Sequence, residues 1–477
     1  MSRRRHALPL LVGGLVTLFA AAALTLGQAA QTPTDKRGGT NGHSTWLAPY
    51  RALSQRIARE IQADDFAWIR LADLTDTFGH RLSGSAALED ALRWIADEMQ
   101  KDGLDNVRLD PVMVPRWVRG AESAEIVTPG RHTIAMLGLG DSIGTPPEGI
   151  EAEILVVRSF EALDANSRAA RGKIVVFNAP YTSYNDTVHY RTAGPARAAQ
   201  YGALAALVRS IGPPGHRTPH TGSTSYVNVP RRIPAAAISA EDAERLQRLH
   251  DRKLPVIVRI TMSARHEPDA LSGNLIAELS GRETPQELVV LGCHIDSWDV
   301  GTGAVDDGAG CVAIWEVVRV LKKLNLRPRR TIRVVLFTNE ENGLRGAHAY
   351  REKYMAELKN HVMMLETDTG LFPPIGFGFS GSPKARSRVT EIADLVRDLG
   401  ANRVAAVGGG ADIGPSVQAG NIPSMSLDGD DTRFFFLHHT AADTVDKVTP
   451  REISRAAAAI GIMAFVVADM PGRLDQE

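Results

Sequence analysis

From about position 274 onward, apolar positions fall in blocks rather than in strict alternation. Residues 287–293 (ELVVLGC) are a nearly continuous apolar run, 308–324 carry helical spacing, and 331–338 (TIRVVLFT) are apolar again. A helical stretch at 343–354 and a short run at 362–365 follow. Apolar strands without alternation are buried on both faces, and strands joined by helices are parallel neighbours. The expected fold is therefore α/β, with a mainly parallel central sheet flanked by helices.

Upstream, helical periodicity begins near Leu47, and Leu88, Leu92, Ile95 and Met99 recur on one helical face before Gly103. Between 121 and 265 the pattern changes to short β-rich segments separated by Gly and Pro. Strands are expected at 153–157, 173–177, 203–208 and 255–261, with helices at 195–201 and 240–250. This stretch reads as a second unit inserted between an N-terminal part at 46–120 and the main block at 266–477.

Residues 1–29 follow another logic. Arg3, Arg4 and Arg5 precede an apolar run over 7–26, then Gly27, Gln28 and Ala29, which is the anatomy of a secretory signal peptide. An uncleaved anchor is the alternative, since about 20 apolar residues can span a bilayer. The expected protein is exported, periplasmic or secreted, with no stable membrane span after cleavage. Residues 30–45 read as a flexible lead-in.

The 477 residues carry 54 Lys and Arg against 55 Asp and Glu, and losing the three signal arginines leaves 51 against 55. Such a balance offers no basic field, so no nucleic-acid partner is expected. The only two cysteines, Cys293 and Cys311, lie within apolar runs and are expected to be buried free thiols, although export would permit a disulfide.

Candidate chemistry collects at strand ends. His294 ends the first apolar strand, Glu340 and Glu341 follow the second, and Asp368 follows the third. Asp306 sits among Gly301, Gly303, Gly308 and Gly310, and His439 lies further on. Imidazole plus carboxylate without thiolate suits zinc or a neighbouring divalent ion. A carboxylate has two oxygens and can bridge two metals, and Asp306 is the choice for that bridge. His216 and His220, in a Gly/Pro/Thr-rich loop, are expected to be solvated. Met425, Trp298 and 434–436 are expected to be core, with a pocket border as the alternative.

The runs His294-Ile-Asp-Ser-Trp-Asp, Ala304-Val-Asp306-Asp307-Gly, Glu340-Glu341-Asn-Gly, Glu366-Thr-Asp368-Thr-Gly and His438-His439-Thr-Ala-Ala-Asp443-Thr resemble the dinuclear-zinc exopeptidase family, in its carboxypeptidase Q-like branch. Arg81-Leu-Ser-Gly-Ser, Val114-Pro-Arg-Trp and Val466-Val-Ala-Asp-Met extend the resemblance over nearly the whole mature chain, and Gly172-Lys-Ile-Val-Val-Phe resembles a protease-associated domain.

The resemblance implies two Zn2+ ions per chain. One is held by His294, Asp306 and Asp368, the other by Asp306, Glu341 and His439, with Glu340 as general base. The family spacing selects His439 over His438. Asp296 is expected to orient His294, Asp443 and Asp307 to support the site, and the Asp306-Asp307 bond to be cis. The implied activity is hydrolysis of dipeptides or short peptides. An aminopeptidase with the same zinc site is the alternative, a non-catalytic receptor-like protein a remote one, and a homodimer is possible.

Overall fold

The computed structural model describes residues 45–475, apart from Asn228 and Pro230. The expected signal peptide lies outside the described residues. The described residues form one compact unit, and no described helix is long and apolar enough to cross a membrane.

Among the described residues, the main sheet has eight strands: β1 (Asp105–Val118), β2 (Arg265–Leu279), β3 (Thr284–His294), β4 (Arg330–Phe337), β5 (His361–Glu366), β6 (Pro374–Ser380), β7 (Arg403–Ala405) and β8 (Ser424–Gly429). Their spatial order is β1-β2-β4-β3-β5-β8-β6-β7. The central run β4-β3-β5-β8 is parallel, while β1, β2 and the β8-β6 pairing are antiparallel. Every position of β4 and β5 is buried, which accounts for their mainly apolar sequence, and the buried arginines of β4 are paired, Arg330 with Glu287 and Arg333 with Glu278.

Side chains of β3 alternate between two cores. Val289, Leu291 and Cys293 pack with the helices Ala309–Lys323 and Pro450–Asp469. Leu288 and Val290 pack with Tyr350 and Ile413 on the opposite face. The helix Ala86–Lys101 starts where Ser85 accepts a hydrogen bond from the Leu88 amide, and it buries Leu88, Leu92, Ile95 and Met99. Pro450–Asp469 starts with a reciprocal cap between Thr449 and Glu452.

A second eight-stranded sheet is built from the residues between β1 and β2. Val118 lies opposite Arg265, so the chain leaves the main sheet and returns to it at one point. This sheet has its own core, with Val156, Val176, Leu207 and Ile260, which Trp298 of the main block joins. The helix expected at 195–201 instead spans Tyr184–Gln200 and contains Pro195 in its interior. Proline suggests a helix start because its missing N–H costs nothing there, but here the cap is Ser183, which accepts from the Asp186 amide.

The expectation of free thiols is overturned: Cys293 and Cys311 form a disulfide, with their Cα atoms 5.4 Å apart. Cys293 is the penultimate residue of β3 and Cys311 lies in the first turn of the helix packed on it. Strand and helix therefore bring the two Cβ atoms within bonding reach despite 18 positions of separation.

Candidate metal centre

The carboxyl ends of parallel strands open into a crevice where loops can place polar groups. His294 ends β3, Glu340 and Glu341 lie just beyond β4, and Asp368 lies just beyond β5. Asp306 comes from the loop after β3, and its bond to Asp307 is cis. His439 arrives from the C-terminal part of the chain with a left-handed backbone, φ 61°.

These side chains converge. The Nε2 of His294 lies 3.1 Å from Oδ1 of Asp306 and 3.1 Å from Oδ1 of Asp368. The Nε2 of His439 lies 3.0 Å from Oε2 of Glu341 and 3.4 Å from Oδ2 of Asp306. Asp306 thus presents one oxygen to each group. His438 stacks on His439 with ring centroids 3.5 Å apart, and its Nε2 is further from Asp306, at 3.8 Å.

The surrounding polar groups fix the loops rather than the imidazole directly. His294 Nδ1 donates to the main-chain carbonyl of Asp296 at 2.9 Å, which makes Nε2 the nitrogen turned toward the carboxylates. Asp296 thus meets His294 through its backbone, and its carboxylate lies 4.0 Å from Nδ1. That carboxylate instead accepts from the amides of Glu340 (3.0 Å) and Glu341 (3.3 Å) and from the Ser83 hydroxyl (3.1 Å). Asp443 accepts from the amides of Val305 (2.6 Å) and Asp306 (3.2 Å), and Asp307 accepts from the amides of His294 and Gly310.

Burial crowds these acids together in low dielectric. It pushes the carboxyls of Asp307 and Glu341 well above the usual carboxylate range, Glu341 further by repulsion from Asp306. Burial likewise raises Glu340 to about 8 and Asp443 to about 7, with neighbouring carboxylates adding to both. The Oδ2 of Asp306 is buried and has no hydrogen-bond partner. An orphaned carboxylate oxygen between two imidazoles, inside a cluster of acids, fits a divalent cation, which satisfies the oxygen and relieves the repulsion.

Comparison with known proteins agrees with this geometry. Residues 274–463 match the model of peptidase family M28. Human carboxypeptidase Q is 44% identical over 409 residues, covering 86% of each chain, and the Xenopus laevis protein of that name is 43% identical over 429 residues. The chain belongs to peptidase family M28. It is accordingly a metallo-exopeptidase, a hydrolase.

Among solved M28 relatives, the Peptidase M28 precursor from Shewanella amazonensis superposes with a TM-score of 0.86 at 32% identity, over 90% of this chain and 98% of that one. The zinc aminopeptidase of Bacillus subtilis shares the fold at a TM-score of 0.64 and 20% identity, over 86% of this chain and 96% of that one.

Several further residues at the centre make contacts that the sequence pattern does not announce. Arg81 is fully buried and donates to the carbonyls of Gly79, Ile295, Thr302 and Gly303, so it braces the loop between His294 and Asp306. His220, expected to be solvated, is 2% exposed and donates from Nδ1 to the His438 carbonyl at 2.9 Å. Its loop folds onto the main block, where His216 remains exposed. Met425 and Phe434 are core, as expected, whereas Phe435 is half-buried and Phe436 is exposed, contrary to expectation. Trp298 is also buried but packs 5.7 Å from the His439 ring, at the border of the centre.

Proposed function

We propose that the chain is a zinc-dependent exopeptidase of the carboxypeptidase Q-like type, hydrolysing dipeptides or short peptides. In this reading His294, Asp306 and Asp368 hold one Zn2+ and Asp306, Glu341 and His439 hold a second. The observation that carries it is Asp306, which turns one oxygen toward His294 and the other, unpaired, toward His439. Bound zinc supplies Lewis-acid polarisation and lowers the pKa of coordinated water from 15.7 toward about 7.

The chain's own residues supply the proton transfers and the positioning. Glu340 takes a proton from the attacking water and delivers it to the leaving amine. Asp296 receives the Glu340 and Glu341 amides on its two oxygens, so base and ligand are aimed from one anchor. Asp443 does the same for the backbone of Asp306.

The remaining features belong to the same reading. Residues 121–265 are a protease-associated insert in a peptidase domain formed by 46–120 and 266–477, residues 1–29 direct export, and the family resemblance favours a homodimer. Zinc analysis, followed by digestion of a dipeptide and tripeptide panel with product masses, tests the proposal. Two zinc ions per chain and release from dipeptides or a free carboxyl terminus are expected. Turnover confined to free aminoacyl anilides would favour the aminopeptidase alternative, and absence of both zinc binding and hydrolysis would overturn the reading.

A further inference from the structure

The half of the centre formed by Glu341 and His439 is gripped from outside the main block. Residues 220–223 belong to the chain between β1 and β2, and they run beside the His438-His439 backbone. The Thr221 amide donates to the His439 carbonyl at 2.9 Å, and His439 Nδ1 lies 3.3 Å from the Thr221 carbonyl. One residue position before, His220 Nδ1 donates to the His438 carbonyl. Two positions after Thr221, the Ser223 hydroxyl donates to the Glu341 carbonyl at 2.9 Å.

This short segment is itself pinned to the second sheet. The Thr221 hydroxyl donates to the Gly138 carbonyl at 2.7 Å and receives Arg119, whose guanidinium is paired with Asp299. Arg191 donates to the Thr221 carbonyl at 3.2 Å and to the Tyr184 hydroxyl at 2.8 Å. A side chain at Gly222 is strained, since φ is +132°, and an added Cβ would lie 2.3 Å from the Arg191 Cζ, so the guanidinium that holds the Thr221 carbonyl must shift.

Among the described residues, His294 and Asp368 have no comparable support from the insert. His294 is held by β3 and the Asp296 carbonyl, and Asp368 by the end of β5. The two halves of the centre thus have different mechanical supports.

We propose that the insert segment 220–223 is the positioning element for the Glu341–His439 half of the metal centre, and that it sets zinc affinity there independently of the His294–Asp368 half. The proposal rests on the zinc-peptidase reading above. His439 must present Nε2 as a lone pair to serve as a ligand, which requires the proton on Nδ1. Two groups lie 3.3 Å from Nδ1, the Thr221 carbonyl and Arg191 Nη1, and of these only the carbonyl can accept the proton that ligation through Nε2 requires. Second-sphere partners of this kind typically change metal affinity by about 10–100-fold when lost.

The test is competition titration of metal-free, full-length protein with Zn2+ against a chromophoric chelator, read as the number and affinity of sites. Gly222→Ala displaces the segment through Arg191, and Ser223→Ala removes one hydroxyl with little risk to folding. The expected result is a 10–100-fold loss of affinity at one site in Gly222→Ala, a smaller loss at that site in Ser223→Ala, and an unchanged other site. Asp368→Asn is expected to weaken the opposite site, which assigns the two. Equal weakening of both sites, or two wild-type affinities in folded Gly222→Ala and Ser223→Ala proteins, would overturn the proposal. If Gly222→Ala does not fold, the Ser223→Ala titration decides alone. A wild-type protein that takes up no zinc would overturn the metallopeptidase reading itself, a result distinct from the others.

Discussion

Replacing Arg81 by Met removes a cation that no solvent reaches and that four backbone carbonyls share, at 2.8 to 3.0 Å. Three of those carbonyls, at Ile295, Thr302 and Gly303, lie between His294 and Asp306. Burial lowers the guanidinium to about 10, while Asp443, Asp296, Asp307 and Glu341 counter that effect, so Arg81 stays charged at neutral pH. Four charge-assisted hydrogen bonds at about 1.5–3 kcal/mol each set a ceiling of about 6–12 kcal/mol. Relaxation and entering water recover part of it, and breaking a buried charged arrangement typically costs about 3–5 kcal/mol.

A local cost of about 4 kcal/mol corresponds to about three decades in the population of the ordered loop. The Met variant is therefore expected to lose about 10²–10³-fold in zinc affinity. Its apo form should melt well below apo wild type, because the acids around the centre lose a fully buried counter-charge. Lys, with a single ammonium in place of a planar fork, should fall between. Zinc competition and thermal unfolding of apo and zinc-loaded proteins measure both effects. An Arg81→Met protein with wild-type zinc affinity and a wild-type apo melting temperature would refute the bracing role.

Three further outcomes are expected. Glu340→Gln should retain both zinc ions while turnover falls about 10²–10⁴-fold, and an unchanged rate in metal-loaded protein would remove Glu340 from the proton transfers. Loss of the Cys293–Cys311 bridge, by reduction or by a double Ala substitution, should destabilise the protein by about 3 kcal/mol from the chain freedom restored over 18 positions; a melting curve indifferent to reductant would contradict this. His361 is buried between the Tyr350 hydroxyl and the Glu357 carbonyl, and burial lowers it to about 4. The unfolded chain takes up its proton near pH 6.5 and the folded chain only near 4, so this contribution is complete above about 6.5. It declines by up to about 3 kcal/mol as pH falls toward 4. His361→Gln should flatten the stability slope between pH 4 and 6.5 by up to one proton, which denaturant titration across that range measures.

What could be read in the sequence was whatever a side chain reports through its own chemistry or through periodicity. The strand ends of β3, β4 and β5 were visible because fully buried strands are mainly apolar and polar residues gather just beyond them. His294, Glu341 and Asp368 were candidates for that reason, and the motifs around them carried the family. The contacts that escaped notice run through backbone groups. Thr221 engages His439 by its amide and carbonyl, which every residue but proline possesses, so its identity carries no trace of the role. Arg81 in a turn-rich stretch has the composition of a solvated loop, and nothing local marks its four acceptors, which lie at positions 79, 295, 302 and 303.

The disulfide and His220 were misread for one shared reason: each depends on an approach that separation along the chain conceals. Cys293 and Cys311 meet because the helix after Asp306 folds back on the strand before it, and His220 is buried because its loop crosses onto residues 438 and 439. Both contacts fall beside the proposed ligands. The bridge ties the strand that ends at His294 to the helix that follows Asp306, and the loop grips His439. A cluster of like charges in low dielectric repels itself until a cation is bound, so these ligands need external bracing to remain in place while empty. Arg81, the disulfide and the 220–223 segment supply it from three directions, and each comes from a part of the chain that the ligand motifs do not include.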